Sequence, residues 1–200
     1  MLPTAGATLL ASLVALSAPA EKQSWESADT PDVRADFLPR SAQIEVDGKV
    51  LGRGFVVLKV PGPKRALRVR VTAAGFEPEE RVVEAGRIVN KQFFLALRPA
   101  GFEQKLDARD AAGMARAASA LWRAGRADDA ADYAQASLGA GNTPLANRIL
   151  GEVWRRRGNR DQAVRYFTMY LSLIENPPDG PEIRAWLMQD RPGDITIPSK

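Results

Sequence analysis

The sequence predicts an α+β protein in two domains, a small all-β sandwich followed by an α-helical hairpin repeat. Between residues 41 and 99, apolar and polar residues alternate, and turn signals recur about every ten residues. From residue 107 onward the apolar residues have helical spacing. The pattern of residues 125–133 recurs 33 residues later, at 158–166, which is typical of repeated helix-turn-helix units.

The composition excludes several kinds of active site, because the 200 residues include no cysteine and no histidine. Disulfides, thiolate nucleophiles, Cys/His zinc sites and Ser–His or Cys–His catalytic pairs are therefore absent. A lipoprotein anchor would also need a cysteine. No carboxylate pair, lysine pocket or glycine-rich phosphate loop stands out in the sequence. We expect a protein that is not an enzyme, with no cofactor and no bound metal.

The first twenty residues carry no charged side chain and include an apolar run of about twelve residues, Ala5–Leu16. This run is shorter than the roughly 20 residues that a membrane-spanning helix needs. Ala18-Pro19-Ala20 fits the small-x-small cleavage pattern. The segment predicts a signal peptide over residues 1–20 and export to the periplasm without lipidation, with an uncleaved N-terminal anchor as the alternative and the only expected membrane contact.

Residues 21–40 are polar and lack periodicity, which predicts a linker before the β domain of residues 41–99. Asp47-Gly48 is a strong signal for a two-residue hairpin turn. Short strands are expected on both sides of this turn and further along the chain. They are Ile44–Val46, Val50-Leu51, Phe55–Val60, Leu67–Val71, Val82-Val83 and Phe93–Leu97.

The β segment resembles the PEGA domain, a small β-sandwich of bacterial surface and periplasmic proteins. The resemblance covers residues 40–99 and depends on the run Ala42–Lys49, Gly52, Pro61-Gly62, Ala74-Gly75-Phe76 and a last strand ending at Leu97. It implies recognition or spacing near the cell wall rather than catalysis.

A basic segment lies within the β domain. Residues 53–70 contain no acidic side chain, so two interpretations stay open: a solvated strand face that discourages aggregation, or a surface for an anionic partner such as peptidoglycan. Nucleic acid is not expected as a partner of an exported chain. The basic residues are Arg53, Lys59, Lys64, Arg65, Arg68 and Arg70.

The C-terminal half predicts two helical hairpins over residues 107–176, a capping helix over 181–189 and a tail over 190–200. Asp107 or Asp110 is expected to cap the first helix. The second hairpin resembles the tetratricopeptide repeat. The matching residues are Leu150-Gly151, Trp154, Gly158, Ala163 and Phe167.

Tetratricopeptide-like repeats bind extended peptides on a concave face, so the resemblance implies a partner site at Trp122, Arg148, Glu152 and Arg155. The last three residues lie on one helix face, and the alternative is an ordinary exposed face with an Arg–Glu pair. The expected function is a non-catalytic periplasmic or envelope adaptor that holds a protein partner through its repeats. The β domain would contact envelope polymer or an assembly. The alternative is an accessory carbohydrate-binding, peptidoglycan-binding module.

Overall fold

A computed structural model describes residues 32–59, 66–84, 92–107 and 109–189, and it confirms an α+β chain in two parts, a β-sheet region followed by five helices. The predicted signal peptide and tail lie outside the described residues. The strands are β1 (Asp32–Leu38), β2 (Gln43–Val46), β3 (Lys49–Arg53), β4 (Phe55–Lys59), β5 (Ala66–Thr72), β6 (Glu79–Glu84) and β7 (Gln92–Ala96). The helices are α1 (Ala111–Arg123), α2 (Ala127–Ala140), α3 (Pro144–Arg156), α4 (Arg160–Leu173) and α5 (Gly180–Met188).

The strands form two sheets. Sheet A has the order β4-β1-β7, and sheet B has the order β3-β2-β5-β6. In sheet A, β1 is antiparallel to β4 and parallel to β7. Buried and exposed residues alternate along β4 and β5, so each sheet has one apolar inner face and one outer face. The buried residues of both sheets belong to a single core.

The linker prediction was wrong for residues 32–38, which form β1, the central strand of sheet A. Val33, Ala35 and Phe37 are buried on its inner face, while Arg34 stays exposed. The strand is stabilised by its partners β4 and β7, which come later in the chain. The β part therefore begins before the predicted boundary at residue 41.

The hairpin predicted at Asp47-Gly48 is confirmed as the connection between β2 and β3. Both residues have positive φ, 48° for Asp47 and 84° for Gly48, which is the backbone that the tightest hairpin turns require. The Asp47 carboxylate also accepts the backbone N–H of Arg68 at 2.9 Å, so the turn is tied to the neighbouring strand β5.

The chain passes from sheet B to sheet A at Gly54, between β3 and β4. Its φ is 65°, and a Cβ at this position would lie 2.4 Å from the carbonyl oxygen of Arg40. The backbone of Gly54 donates to Ala42 O at 3.0 Å and accepts the N–H of Phe37 at 2.8 Å. Only glycine can adopt this backbone in so little space.

The helices form two hairpins, α1–α2 and α3–α4, with the same turn geometry. Gly125 and Gly158 both have positive φ, and each is followed by an N–H that bonds back to the preceding helix, Arg126 N to Leu121 O and Asn159 N to Trp154 O. Asp110 is the N-cap of α1, with its carboxylate accepting from Gly113 N at 2.8 Å. The repeat of 33 residues thus corresponds to two hairpins of equivalent local structure.

Tyr133 of α2 joins the helices to the sheets. Its buried hydroxyl donates to the carbonyl of Leu97, just after β7. Its ring stacks on Phe76 with centroids 5.9 Å apart, and the Arg126 guanidinium lies 4.4 Å from the centre of the Phe76 ring. Buried residues of both sheets and of α1, α2 and α3 form one continuous cluster. The two parts therefore share a core.

We expect Tyr133→Phe to lower the free energy of unfolding by about 1 to 2 kcal/mol, because the Leu97 carbonyl loses its buried donor. Tyr133→Ala should cost about 3 to 5 kcal/mol, because it also removes the ring from the core. Urea unfolding followed by far-ultraviolet circular dichroism measures both changes. Tyr166→Phe is the matched control, since Tyr166 has the same position in the second hairpin but is only half-buried. Unchanged stability of Tyr133→Phe would contradict this role.

Candidate functional site

Three of the four residues predicted on the concave face lie in the contact between α3 and α5. Arg148 forms an ion pair with Asp179, which also accepts the Tyr170 hydroxyl at 2.7 Å. Arg155 lies 2.8 Å from Glu152 and 3.8 Å from Glu182 of α5. Their charges are thus compensated within the protein.

The fourth residue, Trp122, makes contacts in a different part of the protein. It packs against the main core, and the Arg156 guanidinium lies 6.0 Å from the centre of a Trp122 ring. The sequence correctly placed Arg148, Glu152 and Arg155 on one helix face. The ion pairs of these arginines with Asp179 and Glu182, at the start of the capping helix, were not predicted.

Asp179 is held as a carboxylate. Partial burial would raise its pKa, but hydrogen bonds from Tyr170 and Arg148 outweigh this and keep the pKa below its usual value. Burial, together with the hydrogen bond to Asp179, raises the pKa of Tyr170 to about 12. The cluster therefore stabilises the docking of α5 at neutral pH.

We expect Asp179→Asn to lower the free energy of unfolding at neutral pH by about 1 kcal/mol, because it weakens a charge-assisted contact. A carboxyl whose pKa is lowered on folding stabilises the protein above its unfolded pKa, and this stabilisation is lost as the pH falls through the folded pKa. Parallel urea titrations should therefore show the two proteins converging below about pH 4. Glu175→Gln, at an exposed position after α4, is the control. A stability difference between the two proteins that does not depend on pH would contradict a lowered pKa of Asp179.

The predicted anionic-partner residues do not form one surface. Arg68 and Arg70 lie on the outer face of sheet B, whereas Lys59 lies on β4 in sheet A and Arg53 at the end of β3. Lys64 and Arg65 lie outside the described residues. The basic segment in the sequence is therefore divided between two sheets.

On sheet B the two arginines are surrounded by carboxylates. Arg70 lies directly opposite Glu45 on one side and Glu80 on the other. Arg68 forms an ion pair with Glu80 at 3.2 Å. These residues, with Asp47, line a shallow depression of about 610 Å³ that holds three acidic and two basic groups. Cross-strand ion pairing accounts for this face, and its charge does not favour a polyanion.

A second groove, of about 490 Å³, lies between α2 and the outer face of sheet A. Both parts of the protein contribute to it, so it exists only while they are docked. Its apolar lining from the sheets is Phe37, Leu38, Phe55 and Phe94, and α2 supplies Asp132, Gln135 and Ala136. No pattern in the sequence indicates this groove, because the groove depends on β1 and on the docking of α2.

Three arginines, Arg34, Arg40 and Arg53, line this groove. The backbone N–H of Arg40 donates to the Asp132 carboxylate at 2.9 Å, and the side chain of Arg40 lies 3.6 Å from the same carboxylate. Arg34 pairs with Asp36 at 2.9 Å and lies 5.1 Å from the centre of the Phe55 ring. Arg53 is exposed and forms no ion pair with any described residue. The groove thus combines aromatic surface with an arginine available to a ligand.

Asp132 is the most unusual carboxylate of the groove. Burial raises its pKa, and this effect exceeds the opposing effects of the Arg40 N–H and the Arg40 charge. Folding therefore makes the charged form of Asp132 less favourable than it is in the unfolded chain, while one oxygen of the same group accepts the Arg40 N–H.

We expect Asp132→Ala to lower the free energy of unfolding by about 1 to 2 kcal/mol, because a backbone donor loses its acceptor. Asp132→Asn should cost less at neutral pH, since its amide oxygen can accept that bond without a buried charge. A pKa raised on folding makes the native carboxyl less stabilising as the pH rises through the folded pKa. As the pH rises from about 4 to 7, urea titrations should therefore show the free energy of unfolding of Asp132→Asn increasing relative to that of the unchanged protein. The reverse trend would contradict the burial of this charge.

Comparison with protein-family models, with curated proteins and with solved structures found no match to this chain. Within the described ranges, no group of three or more acidic side chains is arranged to hold a metal ion. None of the helices in that part of the chain has the length and apolar character to cross a membrane.

Proposed function

We propose that this protein is a non-catalytic adaptor of the bacterial cell envelope, and that it holds a protein partner in the groove between α2 and sheet A. The observation that carries this proposal is the composition of the groove. An exposed Phe55, a half-buried Phe94 and three arginines lie together there. Aromatic residues and arginine are the side chains most enriched at the energetic centres of protein interfaces.

The groove supports the adaptor function better than the residues first considered on the helices. Arg148 and Arg155 form ion pairs within the protein, so a ligand would have to compete with Asp179 and Glu182. Arg53 has no such competitor among the described residues, and the side chain of Arg40 is 75% exposed. A partner can therefore gain a charge-assisted bond to Arg53 without breaking an existing ion pair.

The same proposal includes a location in the cell envelope, a PEGA-like β domain and tetratricopeptide-like helices. The apolar segment 1–20 supports export to the periplasm, and Ala42–Lys49 supports a PEGA-like β domain. Two hairpins with equivalent turns at Gly125 and Gly158 support a tetratricopeptide-like helical part. We infer that the β part and the helices together position the groove for the partner.

A photo-crosslinking amino acid placed at Gln135 tests the proposal, because Gln135 is exposed and lines the groove. We expect ultraviolet light to link this variant to a defined protein in the cells that produce it. The matched control is the same amino acid at Arg165, on the exposed side of α4. Equal labelling from both positions would contradict the groove as the partner site. Linkage from Gln135 to peptidoglycan fragments alone would favour the carbohydrate-binding alternative.

A further inference from the structure

The edge of the β part formed by β3 and β4 exposes an unusual amount of apolar surface. Phe55 is 47% exposed and Val57 is 49% exposed on the outer face of sheet A. On β3, the preceding strand and an edge of sheet B, Val50 is 55% exposed and Leu51 is 46% exposed. Soluble proteins usually protect edge strands with charge, proline or a covering element, because an open edge pairs with other chains.

The backbone of β4 offers hydrogen-bonding groups along the same edge. Phe37 N donates to Gly54 O at 2.8 Å, and β1 and β4 continue this antiparallel register, with Ala35 opposite Val56. Bonded and non-bonded pairs alternate in an antiparallel ladder, so Val56 directs its N–H and C=O toward β1. Phe55 and Val57 therefore direct theirs away from β1. No strand of the described ranges pairs with that side of β4.

The charged side chains of β3 and β4 themselves are all basic, whereas the acidic Asp32 and Asp36 lie on the neighbouring strand β1. The eleven residues from Lys49 to Lys59 include three basic side chains and no acidic one. Arg53, the last residue of β3, is exposed and also lines the groove beside α2. A second copy of this chain would bring identical basic groups together. An acidic segment would instead be complementary to them.

We propose that the outer edge of β4 binds an extended segment of a partner protein in which apolar and acidic side chains alternate, and that this segment adds a fourth strand to sheet A. The inference deepens the proposed function and rests on it for the existence of a protein partner. Backbone bonds to Phe55 and Val57 would supply affinity, as in other cases of strand addition. Apolar side chains would cover Phe55 and Val57 on the outer face of sheet A, and carboxylates would lie near Arg53.

Fluorescence anisotropy with the purified full chain tests the chemistry of the partner. The probe is a labelled peptide of about eight residues that alternates Val and Glu, a length typical of strands. We expect it to bind about tenfold more tightly or better than the matched peptide with Lys in place of Glu. Its affinity should also fall as salt is added, since exposed charges are screened. Equal binding of the two peptides would overturn the charge assignment.

The backbone geometry is tested with two further peptides, one N-methylated at every Val and the other at every Glu. A strand that adds to β4 directs only alternate N–H groups toward it. We therefore expect one of the two modifications to weaken binding about tenfold or more and the other to have little effect. Equal sensitivity to both modifications would overturn strand addition.

Two variants locate the binding at this edge. Val57→Pro removes an N–H that points away from β1, a position where sheets tolerate proline, and it should abolish binding of the Val/Glu peptide. Val57→Thr keeps that N–H and is the matched control. Arg53→Glu should reverse the preference between the Glu and Lys peptides, and it decides the outcome if Val57→Pro fails to fold. Undiminished binding by a folded Val57→Pro and by Arg53→Glu would overturn the inference.

The failure of this inference and the failure of the proposed function give different results. Crosslinking from Gln135 without peptide binding at β4 would support the adaptor function and contradict strand addition. A dimer of the unchanged protein in sedimentation, lost in Val57→Pro, would assign the edge to a second copy of this chain and overturn the acidic partner.

Discussion

The side chain of Tyr133 fixes how the helices lie against the sheets. Its hydroxyl bonds to the Leu97 carbonyl, and its ring stacks on Phe76. A buried carbonyl needs a donor, and a buried phenol needs an acceptor, so each group satisfies the other. On the same helix, Asp132 and Ala136 face the groove. The groove therefore has its shape because the neighbouring tyrosine is held.

Several arginines of the described residues connect elements of the fold. Arg126 lies against Phe76, and Arg160 donates to the Leu187 carbonyl at 3.1 Å while stacking 4.6 Å from the centre of a Trp186 ring. Arg157 forms an ion pair with Asp128. The net charge of +4 therefore gives little reason to expect a polyanionic ligand. Arg53 is informative as a binding residue because the described chain offers it no acidic partner.

Local chemistry made part of the fold predictable from sequence. Asp47-Gly48 and Gly125 need backbone conformations that few residues adopt, and Asp110 caps the helix that follows it. The central strand of sheet A was missed although Val33, Ala35 and Phe37 alternate with polar residues. Its partners, β4 and β7, are distant in sequence, so the short alternating segment was interpreted as part of a polar linker.

The candidate sites were less predictable, because they depend on side chains that meet only in the folded chain. Arg148 looked like a ligand-binding residue until the fold placed Asp179 beside it, 31 residues later. Arg68 and Lys59 are close in sequence but lie on different sheets. The groove combines residues from β1, β3, β4, β7 and α2, and no pattern in the sequence brings those segments together.

The shared core at Tyr133 is tested most directly by a distance between the two parts. The chain has no native cysteine, so spin labels at Lys49→Cys on β3 and Arg165→Cys on α4 would be the only ones, and both positions are exposed. Pulsed electron paramagnetic resonance should give a single narrow distance distribution, which broadens when Tyr133→Ala is added. A distribution that is already broad in the protein with Tyr133 intact would contradict a fixed junction and, with it, a preformed groove.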